Sequence, residues 1–232
     1  MSDHINIIRL KAVANILSDL KEEIVFVGGA TVSLYASRSD LTTIRVTDDV
    51  DVVVELISTG EFYRLQEKVL SLGFQHDRNA PIISRYLYQG LKVDFMPTDP
   101  AILGFTNRWY EEGIRQKIKV ALDATTSVYI FSAPYFLASK MEAFIGRGKG
   151  DLFASHDLED IIYLLDHRPT IQEEIATAPK TVKTYLLGQF NTLTERPLFE
   201  EALFGHVEQQ DAMSRVKRII TLLKGLNEIP NL

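Results

Sequence analysis

Thr47-Asp48-Asp49-Val50-Asp51-Val52-Val53-Val54 is the stretch on which the fold turns. Its valines favour an extended run, because β-branched side chains pack well on a pleated surface. On a strand, side chains at i and i+2 share a face, so Asp49 and Asp51 aim together while Val50 and Val52 pack behind them. Two carboxylates held side by side repel each other, and a buried strand carries them only with a compensating cation. A hard divalent ion such as Mg2+, bound through one or two carboxylates plus substrate phosphates, is the natural partner. The alternative is a solvent-facing acidic strand end. Val52-Val53-Val54 continuing past the acids favours a central, buried strand.

Upstream, Ile24-Val25-Phe26-Val27 is a short continuous apolar run ended by Gly28-Gly29. It reads as a buried strand entering a tight turn, with a second helix starting over Ala30 to Ala36. Glycines at such a junction let the backbone approach a phosphate, and the following helix offers free N–H groups. Steric need alone places glycine in many strand–helix turns. Downstream, Lys92-Val93-Asp94-Phe95 sets one more carboxylate between apolar residues. If its strand lies beside that of Asp49 and Asp51, three acids meet, an arrangement suited to two metal ions in an in-line nucleotidyl transfer.

The rest of the chain frames these pieces. Ile5, Ile8, Ala12, Ile16 and Leu20 predict an amphipathic helix over 4–21. Glu61 to Leu72 reads as a helix closed by Gly73, and Ile82 to Gln89 with Leu91 to Met96 as a hairpin turning at Gly90. Gln116 to Leu122 and Val128 to Phe131 are strands. From Pro134 the pattern is helical: 134–146, 157–166, roughly 171–190, 195–204 and 208–225. The expected fold class is α+β: a small mixed β-sheet flanked by helices, then a C-terminal helical bundle, with domains at 1–132 and 133–232.

The 232 residues contain no cysteine, which excludes a disulfide framework, a thiolate nucleophile and Cys-ligated metal, and directs the search to oxygen ligands. The formal charge of −6 argues against a protein that coats nucleic acid non-specifically. Residues 107–149 run against that average, with seven Lys and Arg to four Asp and Glu. With no cationic leader and no long apolar span, the chain reads as soluble and cytoplasmic. His4, His76, His167 and His206 show no metal-ligand spacing and read as surface residues. Trp109-Tyr110 and Tyr86/Tyr88 are more often core than base-stacking aromatics, and Arg215, Lys217, Arg218 and Lys224 read as a solvated face. Arg45 either contacts phosphate or neutralises Asp48.

Gly-Gly, then Asp-x-Asp on a strand, then a lone Asp on a later strand resembles the DNA polymerase beta-like nucleotidyltransferase superfamily over residues 24–95. Lys140-Met141-Glu142-Ala143-Phe144-Ile145-Gly146-Arg147, followed by His156-Asp157-Leu158-Glu159-Asp160-Ile161, resembles the Lys-x-x-Ala-x-x-x-Arg…Asp-x-x-Asp block of AbiEii/MenT-type toxin nucleotidyltransferases. Read physically, Lys140, Ala143 and Arg147 fall on one helix face, with Ala143 leaving room between two cations. Asp157 and Asp160 share a face of the next helix and orient those cations or the substrate. A salt-bridged helix pair without a ligand is the alternative.

The resemblance implies a magnesium-dependent enzyme (manganese as a substitute) that moves a nucleoside monophosphate from a nucleoside triphosphate to an acceptor hydroxyl. Asp49, Asp51 and Asp94 would hold the metal, with Asp94 assisting the attacking hydroxyl. Gly28, Gly29 and Thr31 would cradle the triphosphate. Lys140 and Arg147 would neutralise it, Asp157 and Asp160 supporting them, so that the helical domain completes the active-site cleft. The implied acceptor is a tRNA 3′ end and the implied partner a cognate antitoxin. A transferase acting on a small molecule or a protein hydroxyl, and a non-catalytic nucleotide-binding module, remain as alternatives.

Overall fold

Seven strands form one mixed sheet in the order β3-β4-β5-β2-β1-β7-β6. They are β1 (Ile24–Val27), β2 (Asp49–Val54), β3 (Gln75–His76), β4 (Arg85–Tyr88), β5 (Leu91–Pro97), β6 (Lys117–Ala121) and β7 (Ser127–Phe131). The computed structural model describes residues 4–36, 44–56 and 58–228. β2 runs antiparallel to β1 and parallel to β5, which places it at the middle of the sheet. Val50, Val52 and Val53 are accordingly sealed from solvent, while Asp49 and Asp51 are half-buried at the strand's start. The α+β expectation is met, and the acidic strand is central.

The β4–β5 hairpin turns through Gln89 and Gly90, both at positive φ (47° and 83°), the geometry of a two-residue turn whose twist matches its strands. Gly73, at φ 94°, follows the helix α2 (Thr59–Ser71), whose first turn Ser58 caps through its hydroxyl. β6 closes one edge of the sheet. On this edge strand Ile118 is 37% exposed.

Three helix expectations are corrected. The opening helix α1 covers Ile5–Ile16, and a 3₁₀ turn at Ser18–Leu20 replaces its last turn. Its inner face is Asn6, Ile7, Leu10 and Val13, whereas Ile5 and Ile8 are exposed. Asn6 explains the rotation: its buried amide donates to the Arg45 carbonyl (2.9 Å) and accepts from the Thr47 N–H (3.1 Å), tying α1 to the approach of β2. The segment after the double glycine is a 3₁₀ helix, Gly29–Tyr35, rather than an α-helix. Pro179 divides the predicted 171–190 helix, since it lacks an N–H and has a fixed φ.

The chain divides into two compact units. One comprises the described residues of 4–34 and 44–132, and includes the short helices α3 (Pro100–Leu103) and α4 (Tyr110–Arg115), which the periodicity does not reveal. The other comprises residues 35–36 and 133–228, with α5 (Ala133–Ile145), α6 (His156–His167), α7 (Ile171–Thr177), α8 (Lys180–Thr194), α9 (Phe199–His206) and α10 (Ala212–Asn227). Its core includes Phe136, Phe144, Leu164, Leu186, Phe190, Leu203 and Leu223. Tyr35 belongs there: its ring centroid lies 4.4 Å from that of Phe136, and its carbonyl accepts from Arg168 at 2.8 Å. No helix among the described residues is long and apolar enough to cross a membrane.

Candidate active site

The sheet sets Asp49, Asp51 and Asp94, the three predicted acids, on two adjacent strands. Parallel pairing sets Asp51 opposite Asp94 and Asp49 opposite Lys92, and antiparallel pairing sets Asp51 opposite Val27. Gly28, one residue past Val27, therefore lies against the Asp51 carboxylate. It sits at φ 75°, and a Cβ built on it would stand 1.9 Å from Asp51 Oδ2 and 2.8 Å from its carboxyl carbon. Glycine is required there twice, for the dihedral and for the space. The close approach expected of this glycine is thus filled, on that side, by an acid of the protein itself.

Arg85, on β4, is a site residue that the motifs leave out. Its Nε and Nη2 donate to the two oxygens of Asp94 at 2.7 and 2.6 Å, and Nη2 also donates to Asp49 Oδ2 at 2.8 Å. Asp94 is buried, and the Arg85 side chain is 19% exposed. The hydrogen bonds to Asp94 hold the guanidinium's pKa well above its ordinary value, against the opposing effect of burial, with the charges of Asp94, Asp49 and Asp51 adding to the rise. A signal for Arg85 exists in the sequence. Counting outward from the Gln89-Gly90 turn pairs Tyr88 with Leu91 and, three steps on, Arg85 with Asp94.

Among the described residues no group of three or more His, Cys, Asp or Glu side chains is gathered to hold a metal ion. In the acidic site the Arg85 guanidinium bridges Asp49 and Asp94. Mg2+, however, is commonly held by one or two carboxylates together with substrate phosphates. The Asp49–Asp51 pair supplies that donor set, all oxygen.

Gly29 opens the 3₁₀ helix, and Thr31 is fully buried behind it. The Thr31 hydroxyl donates to the Gly28 carbonyl at 2.9 Å, and the Thr31 N–H approaches the same oxygen at 3.3 Å. This back-bonding fixes the turn that presents Gly28 to Asp51.

The second unit holds its own charged cluster, on α5 and α6. Lys140 Nζ lies 3.0 Å from Asp157 Oδ1 and 2.6 Å from Asp160 Oδ2, with all three side chains buried. Ser155 caps α6 and starts the turn that carries the two acids. Arg147 lies two residues beyond the end of α5, yet grips Asp157 as a fork: Nε to Oδ2 at 3.0 Å and Nη2 to Oδ1 at 2.9 Å. Its side chain is 74% exposed. Burial alone would lower the Lys140 pKa, and the charges of Asp160 and Asp157 outweigh it, raising the pKa. Burial likewise would raise that of Asp157, and the Arg147 fork with the Lys140 charge brings it below the usual range. Two cations and two anions cancel, so Lys140 is bound up internally while Arg147 meets solvent.

Of the other residues weighed, Tyr86 and Trp109 are core side chains. His76 is exposed as expected, its ring against Tyr86. His167 is not a surface residue: it is buried, with Nδ1 2.9 Å from the Tyr163 carbonyl and Nε2 3.1 Å from Arg215 Nη1. Arg215 and Arg218, read as a solvated face, both pair with the buried Asp166.

Neither a family model nor a curated protein matches the sequence. Two solved structures are similar in fold. One is an antigenic nucleotidyltransferase-like protein from Paracoccidioides brasiliensis, with 17% identity and a TM-score of 0.50, covering 90% of this chain and 96% of that one. The other is JHP933 from Helicobacter pylori, with 11% identity and a TM-score of 0.52, covering 98% and 94%. At such identities the likeness is one of fold alone.

Proposed function

We propose that this protein is a nucleotidyltransferase that moves a nucleoside monophosphate from a nucleoside triphosphate to an acceptor hydroxyl, using Mg2+ or Mn2+ held by Asp49 and Asp51. The observation that carries the reading is the gathering of Asp49, Asp51 and Asp94 on two adjacent parallel strands, beside the tight Gly28 turn, in a nucleotidyltransferase-like fold. When bound, the cation supplies Lewis acidity to the phosphoryl oxygens. Asp94 accepts the proton of the attacking hydroxyl as the new acceptor O–P bond forms and the bond from the α-phosphorus to pyrophosphate breaks. The Gly28 turn fixes the Asp51 carboxylate in place.

In the helical unit we assign phosphate binding to Arg147, the exposed cation of its cluster. Lys140 acts through Asp157, the carboxylate it shares with Arg147. The resemblance of this block to the AbiEii/MenT-type toxins favours a tRNA 3′ end as acceptor and an antitoxin as partner. The test is incubation with each labelled triphosphate, Mg2+ and total tRNA, beside an Asp49→Asn/Asp51→Asn control. Label on RNA that the control abolishes supports the whole reading. Label on protein or a small molecule would replace the acceptor. Nucleotide binding without transfer to any acceptor would sink the enzyme claim.

A further inference from the structure

We infer that Arg85 is the resident counter-cation of the acidic site, competing with a divalent cation for Asp49 while withholding Asp94 from it. The inference rests on the reading above, in that the cation is taken to use the face of Asp49 and Asp51. The two contacts of Arg85 are unequal. Asp94 receives a two-point fork at 2.7 and 2.6 Å and its side chain is 5% exposed, whereas Asp49 receives one bond at 2.8 Å and is 34% exposed. A planar guanidinium suits such a fork and is weakly hydrated, so it stays on Asp94 at little desolvation cost. The single bond to Asp49 is the one an arriving cation can exchange.

Two consequences follow from that asymmetry. A cation entering the site finds two carboxylates rather than three, so protein ligands alone hold it weakly. Removing Arg85 frees the third carboxylate and takes one positive charge from the site, and ligand charge count is a main determinant of divalent-cation affinity. Loss of Arg85 therefore tightens binding, the reverse of what loss of a merely structural residue does.

Mn2+ binding to the nucleotide-free protein, read from the electron paramagnetic resonance of free Mn2+, tests this. Wild type, Arg85→Gln, Arg85→Lys, Arg85→Gln/Asp94→Asn and Asp51→Asn are compared, with circular dichroism as a check on folding. Arg85→Gln is expected to bind Mn2+ roughly tenfold more tightly. Arg85→Lys, a point charge without the fork, is expected to fold as wild type and to bind with intermediate affinity. The double variant returns towards wild type. Equal or weaker binding in both single Arg85 variants, with binding lost in Asp51→Asn, overturns the inference and leaves the metal-dependent reading standing. Binding by no form at all overturns the inference, while the transfer assay with nucleotide present decides the enzyme reading separately.

Discussion

Gly28, one residue past β1, and Asp51, on β2, lie so close that a single methyl group cannot be placed between them: a Cβ on Gly28 would fall 1.9 Å from a carboxylate oxygen. Gly28→Ala would add the cost of a left-handed backbone, about 1–2 kcal/mol, to this collision. The collision moves the Asp51 carboxylate, and a displacement near 1 Å at a reacting centre costs about a hundredfold in rate. Initial rates of nucleotidyl transfer should fall accordingly, with a lower Tm. A variant that turns over like wild type would show that the position of Asp51 does not matter.

Asp94→Asn should destabilise the protein as well as inactivate it. It replaces a charge-assisted fork by a neutral amide and leaves the largely buried Arg85 poorly paired. Breaking one side of a buried ion pair costs about 3–5 kcal/mol, and the partial exposure of Arg85 puts the expected loss at or below the lower end. Urea unfolding measures it, and an unchanged midpoint would contradict the assignment.

In the helical unit, Lys140→Met should be more damaging than Arg147→Ala. The first leaves Asp157 and Asp160 buried together without their shared ammonium, a loss of about 3–5 kcal/mol. The second removes a largely exposed side chain and should cost at most about 1 kcal/mol. Paired denaturation curves decide the order. If the ranking is reversed, the cluster does not hold the helices together.

The same cluster predicts a pH dependence with a definite sign. The Asp157 pKa is depressed on folding, so its contribution is full above the unfolded value of about 3.9 and is lost as pH falls through the lower folded value. The Lys140 pKa is raised, so its contribution is full below about 10.4 and is lost as pH rises through the higher folded value. This cluster should therefore contribute evenly from about pH 5 to 10 and weaken beyond each end. Tm profiles of wild type and Lys140→Met should converge in strong acid. Parallel profiles throughout would rule the linkage out.

Gly113→Ala probes packing outside the two charged clusters. A Cβ there meets the Phe131 ring at 2.8 Å, and Phe131 is fully buried. Overpacking of this kind costs about 1–3 kcal/mol, readable as a fall in Tm without loss of metal or nucleotide binding.

Much of the sheet was legible because six of its strands announce themselves locally; the two-residue β3 does not. β2 shows its valines, β1 its apolar run, and the β4–β5 hairpin its Gly90. What periodicity could not deliver depends on distant partners. The inward face of α1 is set by Asn6 bonding to Arg45 and Thr47, some forty residues away, so Ile5 and Ile8 mislead. Arg85 was hidden for another reason: an arginine on a strand carries no motif, and only the hairpin register places it opposite Asp94. Helical spacing showed Asp157 and Asp160 on one face of α6, but Arg147, expected on the same helix face as Lys140, lies beyond the end of α5, and the internal charge cancellation required coordinates.

The hairpin also bears on the order in which the acidic site is built. Arg85 and Asp94 are nine residues apart and meet within one local turn, whereas Arg85 and Asp49 are separated by 36 residues and meet only when β5 docks beside β2. Short loops close sooner than long ones. The third acid thus reaches the other two already escorted by its own cation, and the growing sheet is spared the docking of a bare carboxylate against a doubly negative strand.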